Sequence, residues 1–276
     1  MPFNFPATLV PLYALLNPRL ILPSVTVRDI RYLNFSALRD AGYRGAIFDK
    51  DNCLTLPHHD RLVPELEAAW SEALRVFGPS RILVVSNSAG TRDDAAQLQA
   101  ESVSYHLRVP VLLHASLKPS YACTAAALSA LPDLAPHELI VVGDRIFTDV
   151  VLAHRLAHPR TLMARIAARL GLAPARADSS PSDAGAGSSA SVGGGGEYAR
   201  APLAVWTTGV WMRESMGMRS AEGWLVRLVE RWVRGTREHR DTLEERFVKR
   251  GVEDSAEKPA TRAWFSWVKG ALPKLG

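Results

Sequence analysis

Two aspartates placed two residues apart could act as a nucleophile and a proton donor. Asp49 and Asp51 directly follow residues 43–48, a short apolar run with the composition of a buried strand. Side chains at this spacing can face one cavity where a strand ends, so one carboxylate could attack a phosphorus atom while the other protonates the leaving oxygen. Aspartates are also common in turns that follow strands, and the pair alone leaves that alternative open.

A hydroxyl and an amide follow a second apolar run. Ser86 and Asn87 come directly after residues 81–85 and just before a segment with helical character. A hydroxyl and main-chain N–H groups at such a junction can cradle a phosphate group. Ser and Asn are also ordinary helix-capping residues, so a simple capped loop remains the alternative at this point.

A lysine and two further aspartates follow two more apolar runs. Lys118 comes shortly after residues 109–113, where a cation could neutralise phosphate charge, although a lone lysine is usually a solvated side chain. Asp144 and Asp149 follow residues 139–142. Carboxylates grouped in this way after a strand predict a site for a hard cation.

Taken in this order, the four motifs resemble those of the haloacid dehalogenase-like phosphatases. The resemblance implies an α/β fold, with a Rossmann-like parallel sheet wrapped by helices, and phosphate-ester hydrolysis with Mg²⁺ as cofactor. The implied catalytic residues are Asp49 as the nucleophile that forms an aspartyl-phosphate, Asp51 as the general acid, and Lys118 as the balancing cation. The implied phosphate-binding residues are Ser86, Asn87 and Lys118, and the implied Mg²⁺ ligands are Asp49, Asp51 through its main-chain carbonyl, Asp144 and Asp149.

The elements that must position these residues alternate between strand and helix. Apolar residues recur at helical spacing after each strand-like run, in residues 65–77, 93–101, 121–131 and 148–156. Such alternation predicts a parallel sheet with ligands at the carboxyl ends of its strands, where all four motifs fall. Residues 202–206 read as one further strand.

The spacing of the motifs predicts an open, capless site. Roughly thirty residues separate Asp51 from Ser86, and a similar number separate Ser86 from Lys118, which one helix and one strand nearly fill. No large cap domain fits in either interval. An open site favours a substrate whose bulk stays outside it, such as a protein, a nucleic acid or a lipid in a bilayer.

The distribution of charge and tryptophan favours the lipid. The net charge is +5, and the residues from 200 onward hold 15 Lys and Arg against 10 Asp and Glu, so the whole excess lies there. Six of the seven tryptophans lie in the same part of the chain. A basic, tryptophan-rich end among aliphatic residues is typical of binding to a membrane surface, and no nucleic-acid partner is expected.

An amphipathic helix is predicted within this basic end. Apolar residues from 224 to 233 form one continuous stripe, with Arg227, Glu230, Arg231 and Arg234 opposite. The helix could dock on its own domain, or it could lie in a lipid headgroup layer, and both interpretations remain open. Two cysteines, Cys53 and Cys123, favour a reducing compartment over a disulfide scaffold.

The N-terminal part of the chain is apolar but interrupted by prolines. No run reaches the roughly 18–20 residues of a membrane-spanning helix. An import signal and an interfacial segment at residues 9–16 are both compatible with it. The predicted organisation comprises an N-terminal segment (1–40), a catalytic domain (41–172), a disordered Ala/Ser/Gly-rich insertion (173–200), the final strand of the domain (201–211) and a helical basic tail (212–276).

Three motifs are also similar to those of the fungal mitochondrial phosphatidylglycerophosphate phosphatases. They are residues 48–55 (Phe-Asp-Lys-Asp-Asn-Cys-Leu-Thr), 85–90 and 142–149. This resemblance implies hydrolysis of phosphatidylglycerophosphate to phosphatidylglycerol, a cardiolipin precursor, by a peripheral enzyme on the matrix side of the mitochondrial inner membrane. The 173–200 insertion and the tail lie outside the resemblance, and Leu117-Lys118 stands where paired lysines are expected. A capless phosphatase for phosphoproteins or soluble phosphate esters is the alternative, and the oligomeric state stays unknown.

Overall fold

A five-stranded parallel sheet lies at the centre of the protein. The computed structural model describes residues 10–11, 14, 17–157, 201–212, 216–233 and 236–251. The strands are β1 (Val25–Val27), β2 (Gly45–Phe48), β3 (Ile82–Val84), β4 (Leu139–Gly143) and β5 (Leu203–Thr207). Their order in the sheet is β1-β5-β4-β2-β3, and every pair is parallel.

Helices cover both faces of this sheet. The α-helices are α1 (Phe35–Asp40), α2 (Glu67–Phe77), α3 (Leu98–Leu107), α4 (Tyr121–Ala130), α5 (Val151–Ala157), α6 (Met216–Trp232) and α7 (Thr236–Phe247). Single 3₁₀ turns lie at Pro18–Ile21, Ile30–Tyr32, Pro64–Leu66, Pro79–Arg81, Ala95–Gln97 and Pro136–Glu138. A π-helical turn, Ile146–Val150, leads from β4 into α5.

Alternate strand residues enter two separate apolar layers, as the two-residue period of a strand requires. Phe48 belongs to the layer shared with α1, α2, α3 and α7, where its ring meets Trp70 edge to face at 5.2 Å. Ile47 belongs to the opposite layer, shared with α4, α5 and α6. The central strands are buried on both faces, so they are uniformly apolar instead of alternating.

The predicted α/β class and the capless, helix-wrapped parallel sheet are confirmed. One predicted strand is wrong: residues 109–113 form only an isolated bridge, between Val111 and Val84. Two hydrogen bonds form this bridge, from Val84 N to the Pro110 carbonyl and from Leu112 N to the Val84 carbonyl. Pro110 has no N–H to donate, so it adds no further bond to the pairing. The edge strand β1 was not predicted, and it lies inside the predicted N-terminal segment 1–40.

The amphipathic stripe of α6 divides between the core and the surface. Val226 is buried, and Leu225, Val229 and Val233 pack against the same apolar layer, so the helix is docked on its own domain. Trp224 and Trp232 do not join this packing and are 60% and 81% exposed.

The polar side of α6 also differs from the prediction. Glu230, expected on a solvated face, is buried and forms an ion pair with Arg240 of α7. A second helix therefore covers part of the face that periodicity alone assigned to solvent.

Part of the predicted interfacial segment belongs to the core. Of residues 9–16, the described part comprises Val10, Pro11 and Ala14, and both Val10 and Ala14 are buried in the layer with Ile21. Among the described residues, no helix combines the length and apolarity needed to cross a bilayer. The predicted insertion 173–200 and the tail beyond residue 251 lie outside the described residues.

Candidate active site

The carboxyl ends of β2, β3 and β4 bring the sequence motifs together. Asp49 directly follows β2, Ser86 comes two residues after β3, and Asp144 directly follows β4. Because all three strands are parallel neighbours, these residues emerge at one edge of the sheet. The fold thus converts positions about 95 residues apart in sequence into one cluster.

Lys118 lies at the centre of this cluster. Its Nζ donates to Asp49 Oδ1 at 2.5 Å and to Asp149 Oδ1 at 2.7 Å, and the side chain is only 2% exposed. Burial lowers the pKa of Lys118, but Asp149 and Asp49 outweigh it and hold that pKa above its ordinary value. The lysine is therefore a fixed positive charge between two carboxylates.

Three buried carboxylates, two of them bonded to this lysine, form one cluster. Ligand oxygens of Asp49, Asp144 and Asp149 lie within 4.8 Å of one another. Burial raises the pKa of Asp49 to about 6 against the opposing effect of Lys118. Burial, together with the charges of Asp49 and Asp149, raises the pKa of Asp144 well above its ordinary range.

This triad fits a hard divalent cation. All three donors are carboxylate oxygens, the set that Mg²⁺ prefers, and a cation would offset the negative charge that, together with burial, raises the pKa values of Asp49 and Asp144. Gly143 keeps the site open, because a Cβ at that position would lie 2.3 Å from Asp149 Cγ. Arg145 N donates to Asp149 Oδ2 at 3.1 Å and fixes the orientation of that carboxylate.

The side chain of Asp51 lies apart from the triad. Its Oδ1 accepts from Lys50 Nζ at 2.5 Å and from His58 N at 3.0 Å, and its Oδ2 accepts from Ser88 Oγ at 2.7 Å. Burial works to raise the pKa of Asp51, but Lys50 and these hydrogen bonds outweigh it and lower that pKa below its ordinary value. The predicted role of the Asp51 carbonyl as a metal ligand stays a prediction.

Ser86 and Asn87 link the loops after β3 and before α4. Ser86 is fully buried, and its hydroxyl lies 2.9 Å from that of Ser88. Asn87 Oδ1 accepts from Lys118 N at 2.7 Å, and its Nδ2 donates to the Lys118 carbonyl at 3.4 Å. The Asn87 side chain therefore positions the backbone of Lys118, while its predicted main-chain contact with phosphate stays a prediction.

Several residues of the site were not predicted from the sequence. Lys50 and Ser88 hold Asp51, and His114 lies between the carbonyls of Ser86 and Ser116, with ring nitrogens at 2.9 and 2.7 Å. Lys50 was predicted only as one residue of the motif at 48–55, with no role of its own. Arg219, from α6, pairs with Asp144 Oδ2, a contact across 75 residues that no local pattern signals.

Comparison of the sequence with known proteins identifies a family for the chain. A sequence model described as "Mitochondrial PGP phosphatase" matches residues 6–164, more than half of the chain. The chain belongs to this family. The matched range contains every predicted site residue from Asp49 to Asp149 and ends before Arg219.

Curated relatives carry related names. Phosphatidylglycerophosphate phosphatase 1, chloroplastic, of Chlamydomonas reinhardtii is 39% identical over 140 residues, which cover 50% of this chain and 51% of that protein. The chloroplastic/mitochondrial protein of the same name from Arabidopsis thaliana is 39% identical over 136 residues, which cover 49% and 38%. A mitochondrial phosphatidylglycerophosphatase of Saccharomyces cerevisiae is 33% identical over 155 residues, which cover 55% and 82%.

The chain thus spans about half the length, or less, of the first two of these relatives. No solved structure matches it.

Proposed function

We propose that this protein removes the terminal phosphate of phosphatidylglycerophosphate to give phosphatidylglycerol, by a Mg²⁺-dependent route through an aspartyl-phosphate. The observation that carries the proposal is Lys118 held between Asp49 and Asp149 inside a buried carboxylate triad. Membership of the mitochondrial PGP phosphatase family supports the substrate class. The relatives' names give the same activity for those proteins.

In the first step, Asp49 attacks the phosphorus atom, the ester P–O bond breaks, and Asp51 gives its proton to the departing glycerol oxygen. In the second step, Asp51 takes a proton from water, the water oxygen bonds to phosphorus, and the Asp49–phosphorus bond breaks to release inorganic phosphate. Lys118 and the loop after β3 stabilise the negative charge of the transferring phosphoryl group in both steps. Mg²⁺, when bound by the triad, supplies further neutralisation of the phosphoryl oxygens.

Asp51 must gain a proton before it can act as an acid. Its contacts with Lys50 and Ser88 favour the carboxylate, which has no proton to give. A phosphate dianion bound next to Asp51 favours the protonated form instead, because like charges at close range disfavour ionisation. Substrate binding is therefore the event that prepares the general acid.

A lipid substrate fits the openness of the site. Among the described residues, one α-helix, α2, lies between Asp51 and Ser86, and one, α3, lies between Ser86 and Lys118. Neither interval holds a cap that would enclose a small substrate. The acyl chains of a lipid can thus stay in the bilayer while the headgroup enters the cluster.

A membrane surface is the proposed partner of α6. Its exposed side presents Trp224 and Trp232 together with the exposed Arg227 and Arg231. Tryptophan rings favour the headgroup level, and arginines are attracted by anionic lipids such as this substrate. We place the enzyme peripherally on the matrix side of the mitochondrial inner membrane, supported by the location in the name of the yeast relative.

The first test is phosphate release from phosphatidylglycerophosphate in mixed micelles with Mg²⁺, for the wild type beside Asp49→Asn. Release by the wild type alone supports the proposal. Cleavage of an aryl phosphate without release from the lipid would keep a phosphatase and discard the lipid substrate, in favour of phosphoproteins or soluble esters. Release by Asp49→Asn at the wild-type rate would remove Asp49 as the nucleophile.

The membrane contact is tested separately by co-sedimentation with liposomes that contain phosphatidylglycerol. We expect the double variant Trp224→Ala/Trp232→Ala to bind about tenfold more weakly than the wild type, because two interfacial anchors are lost. Tyr105→Ala is the matched control, since Tyr105 is 81% exposed on α3, away from α6. Equal binding by both variants would assign the exposed tryptophans no role at the membrane.

A further inference from the structure

Arg219 brings a buried positive charge into the site from outside the family-matched range. It lies in the first turn of α6, its side chain is 10% exposed, and its Nη2 donates to Asp144 Oδ2. The segment before α5 anchors the same helix, because Ile146 N donates to Glu222 Oε2 at 3.4 Å. Trp206 Nε1, from β5, donates to the main-chain carbonyl of Asp144 at 3.1 Å.

The guanidinium is not fully used by this contact. Arg219 Nε is buried and has no hydrogen-bond partner among the described residues. A buried donor without a partner costs on the order of 1–3 kcal/mol, and arginine recognises phosphate best with two parallel N–H bonds. A one-point contact to a carboxylate leaves that fork incomplete, whereas a phosphate group could accept from both Nε and Nη2.

The sheet order separates Arg219 from the group that is hydrolysed. Ser86 follows β3, and Asp144, the partner of Arg219, follows β4, with β2 and Asp49 between them. Neighbouring strands lie about 4.8 Å apart, so β3 and β4 are roughly 10 Å apart, although ligand oxygens of Asp49 and Asp144 lie within 4.8 Å of each other. Arg219 reaches Asp144 from the β5 side, because Gly223 of α6 lies next to Trp206 of β5. A phosphoryl group held by Asp49 and the loop after β3 then leaves Arg219 to face another part of the substrate.

We infer that Arg219 binds the second phosphate of the substrate, the phosphodiester that joins the glycerol headgroup to the lipid. This inference rests on the proposed function, since a substrate with one phosphate offers nothing at that position. Glycerol separates the two phosphates, which places the diester on the β4–β5 flank when the monoester occupies the β2–β3 flank. Arg219 is then a specificity-determining residue that selects a headgroup with two phosphates.

The test compares Arg219→Gln and Arg219→Lys with the wild type on two substrates, phosphatidylglycerophosphate in mixed micelles and an aryl phosphate. We expect Arg219→Gln to raise KM for the lipid by about 10- to 100-fold, the loss of a charge-assisted phosphate contact, with kcat changed by less than about threefold. Arg219→Lys should recover part of the affinity, and neither variant should change kcat/KM for the aryl phosphate by more than about twofold. Arg39→Gln is the matched control, because Arg39 is exposed on α1, which packs on the opposite face of the sheet from α6.

Binding supplies a readout that needs no turnover. In the inactive Asp49→Asn background, adding Arg219→Gln should weaken binding to vesicles that contain phosphatidylglycerophosphate by a similar factor and leave the melting temperature within a few degrees. Equal losses on both substrates would give Arg219 a structural role and overturn the inference. So would an unchanged KM, or a lower Mg²⁺ requirement alone, which would mark the arginine as a competitor for Asp144. An aryl-phosphate-active wild type that ignores the lipid removes the proposed function itself, and this inference with it.

Discussion

Two lysine–aspartate pairs lie within this site, and they differ in what surrounds them. Lys50 pairs with Asp51 and Lys118 with Asp49, each at 2.5 Å, and both lysines are almost completely buried. Lys118 is shared with Asp149, whereas the second acceptor of Lys50 is the neutral carbonyl of His59. The same ion pair is thus placed once inside an anionic cluster and once in a polar loop.

The surroundings shift the pKa values of the two carboxylates, Asp49 and Asp51, in opposite directions. Burial and the nearby acids Asp149 and Asp51 raise the pKa of Asp49 to about 6 in spite of Lys118. Burial also acts on Asp51, but Lys50 and the donors from Ser88 and His58 lower its pKa below the ordinary value. The comparison indicates that an ion pair alone does not set the protonation state, and that burial and the neighbouring groups together decide it.

Among the changes that test this difference between the pairs, replacing the two aspartates should reduce turnover the most. Asp49→Asn should reduce turnover of phosphatidylglycerophosphate by at least about 10⁴-fold, because the nucleophile is lost. Asp51→Asn should reduce it by about 10²–10⁴-fold, the range of general acid–base catalysis. Radioactive phosphate retained on Asp51→Asn but never on Asp49→Asn would separate the two roles.

If both variants retained covalent phosphate, Asp49 could not be the nucleophile. Melting curves for both proteins serve as the control for folding.

Replacing the two lysines tests whether both pairs contribute directly to catalysis. Lys118→Met removes the cation next to the transferring group, and kcat should fall by about 10²–10³-fold. Lys50→Met acts only through the position of Asp51, and about a 10-fold fall is expected. Single-turnover phosphate release measures both. Equal losses would mean that the two lysines contribute equally, and the proposed difference between the pairs would be wrong.

Much of this site follows from the sequence, because the arrangement depends on strand ends. A buried run such as residues 139–142 followed by Asp144 has few structural alternatives, and parallel strands gather such residues at one edge. Lys118 also lies in this cluster, although the segment before it is not a strand. Its position is set by Asn87, whose side chain bonds both sides of the lysine backbone, and not by a ladder.

The features that were missed depend on contacts distant in sequence. β1 is only three residues long, and its partner β5 lies about 180 residues later, so nothing local distinguishes it from a loop. The orientation of Asp51 depends on Ser88, and the environment of Asp144 depends on Arg219. A pattern identifies a carboxylate, but the groups that face it are fixed only when the chain packs.

Metal binding should distinguish the triad from the Lys50 pair. Mg²⁺ at about 100 times its dissociation constant should stabilise the folded protein by about 2.7 kcal/mol, or roughly 5–10 °C in melting temperature. Asp144→Asn removes a triad ligand and should lose most of that shift, while Lys50→Met should keep it. If Mg²⁺ raised the melting temperature of Asp144→Asn as much as that of the wild type, the cation would bind elsewhere. EDTA should reverse the increase in every variant that shows one.

The pH dependence of stability, in metal-free buffer, should show the smallest difference between the pairs. Because the pKa of Asp49 is raised to about 6, the stability that it contributes is complete below about 3.8 and is lost as the pH rises through about 6. The lowered pKa of Asp51 acts in the opposite sense, since its contribution is complete above 3.8 and is lost as the pH falls below that value.

Denaturant unfolding of Asp49→Asn, Asp51→Asn and the wild type at pH 4.5–7 would measure this difference. The stability of Asp49→Asn relative to the wild type should rise across this range, by on the order of 1–3 kcal/mol, because asparagine never acquires the disfavoured charge. The stability of Asp51→Asn relative to the wild type should stay level, because Asp51 is ionised in both the folded and the unfolded chain there. Parallel trends in the two variants would mean that the neighbouring charges do not separate the two carboxylates, and the contrast between the pairs would then lie in geometry alone.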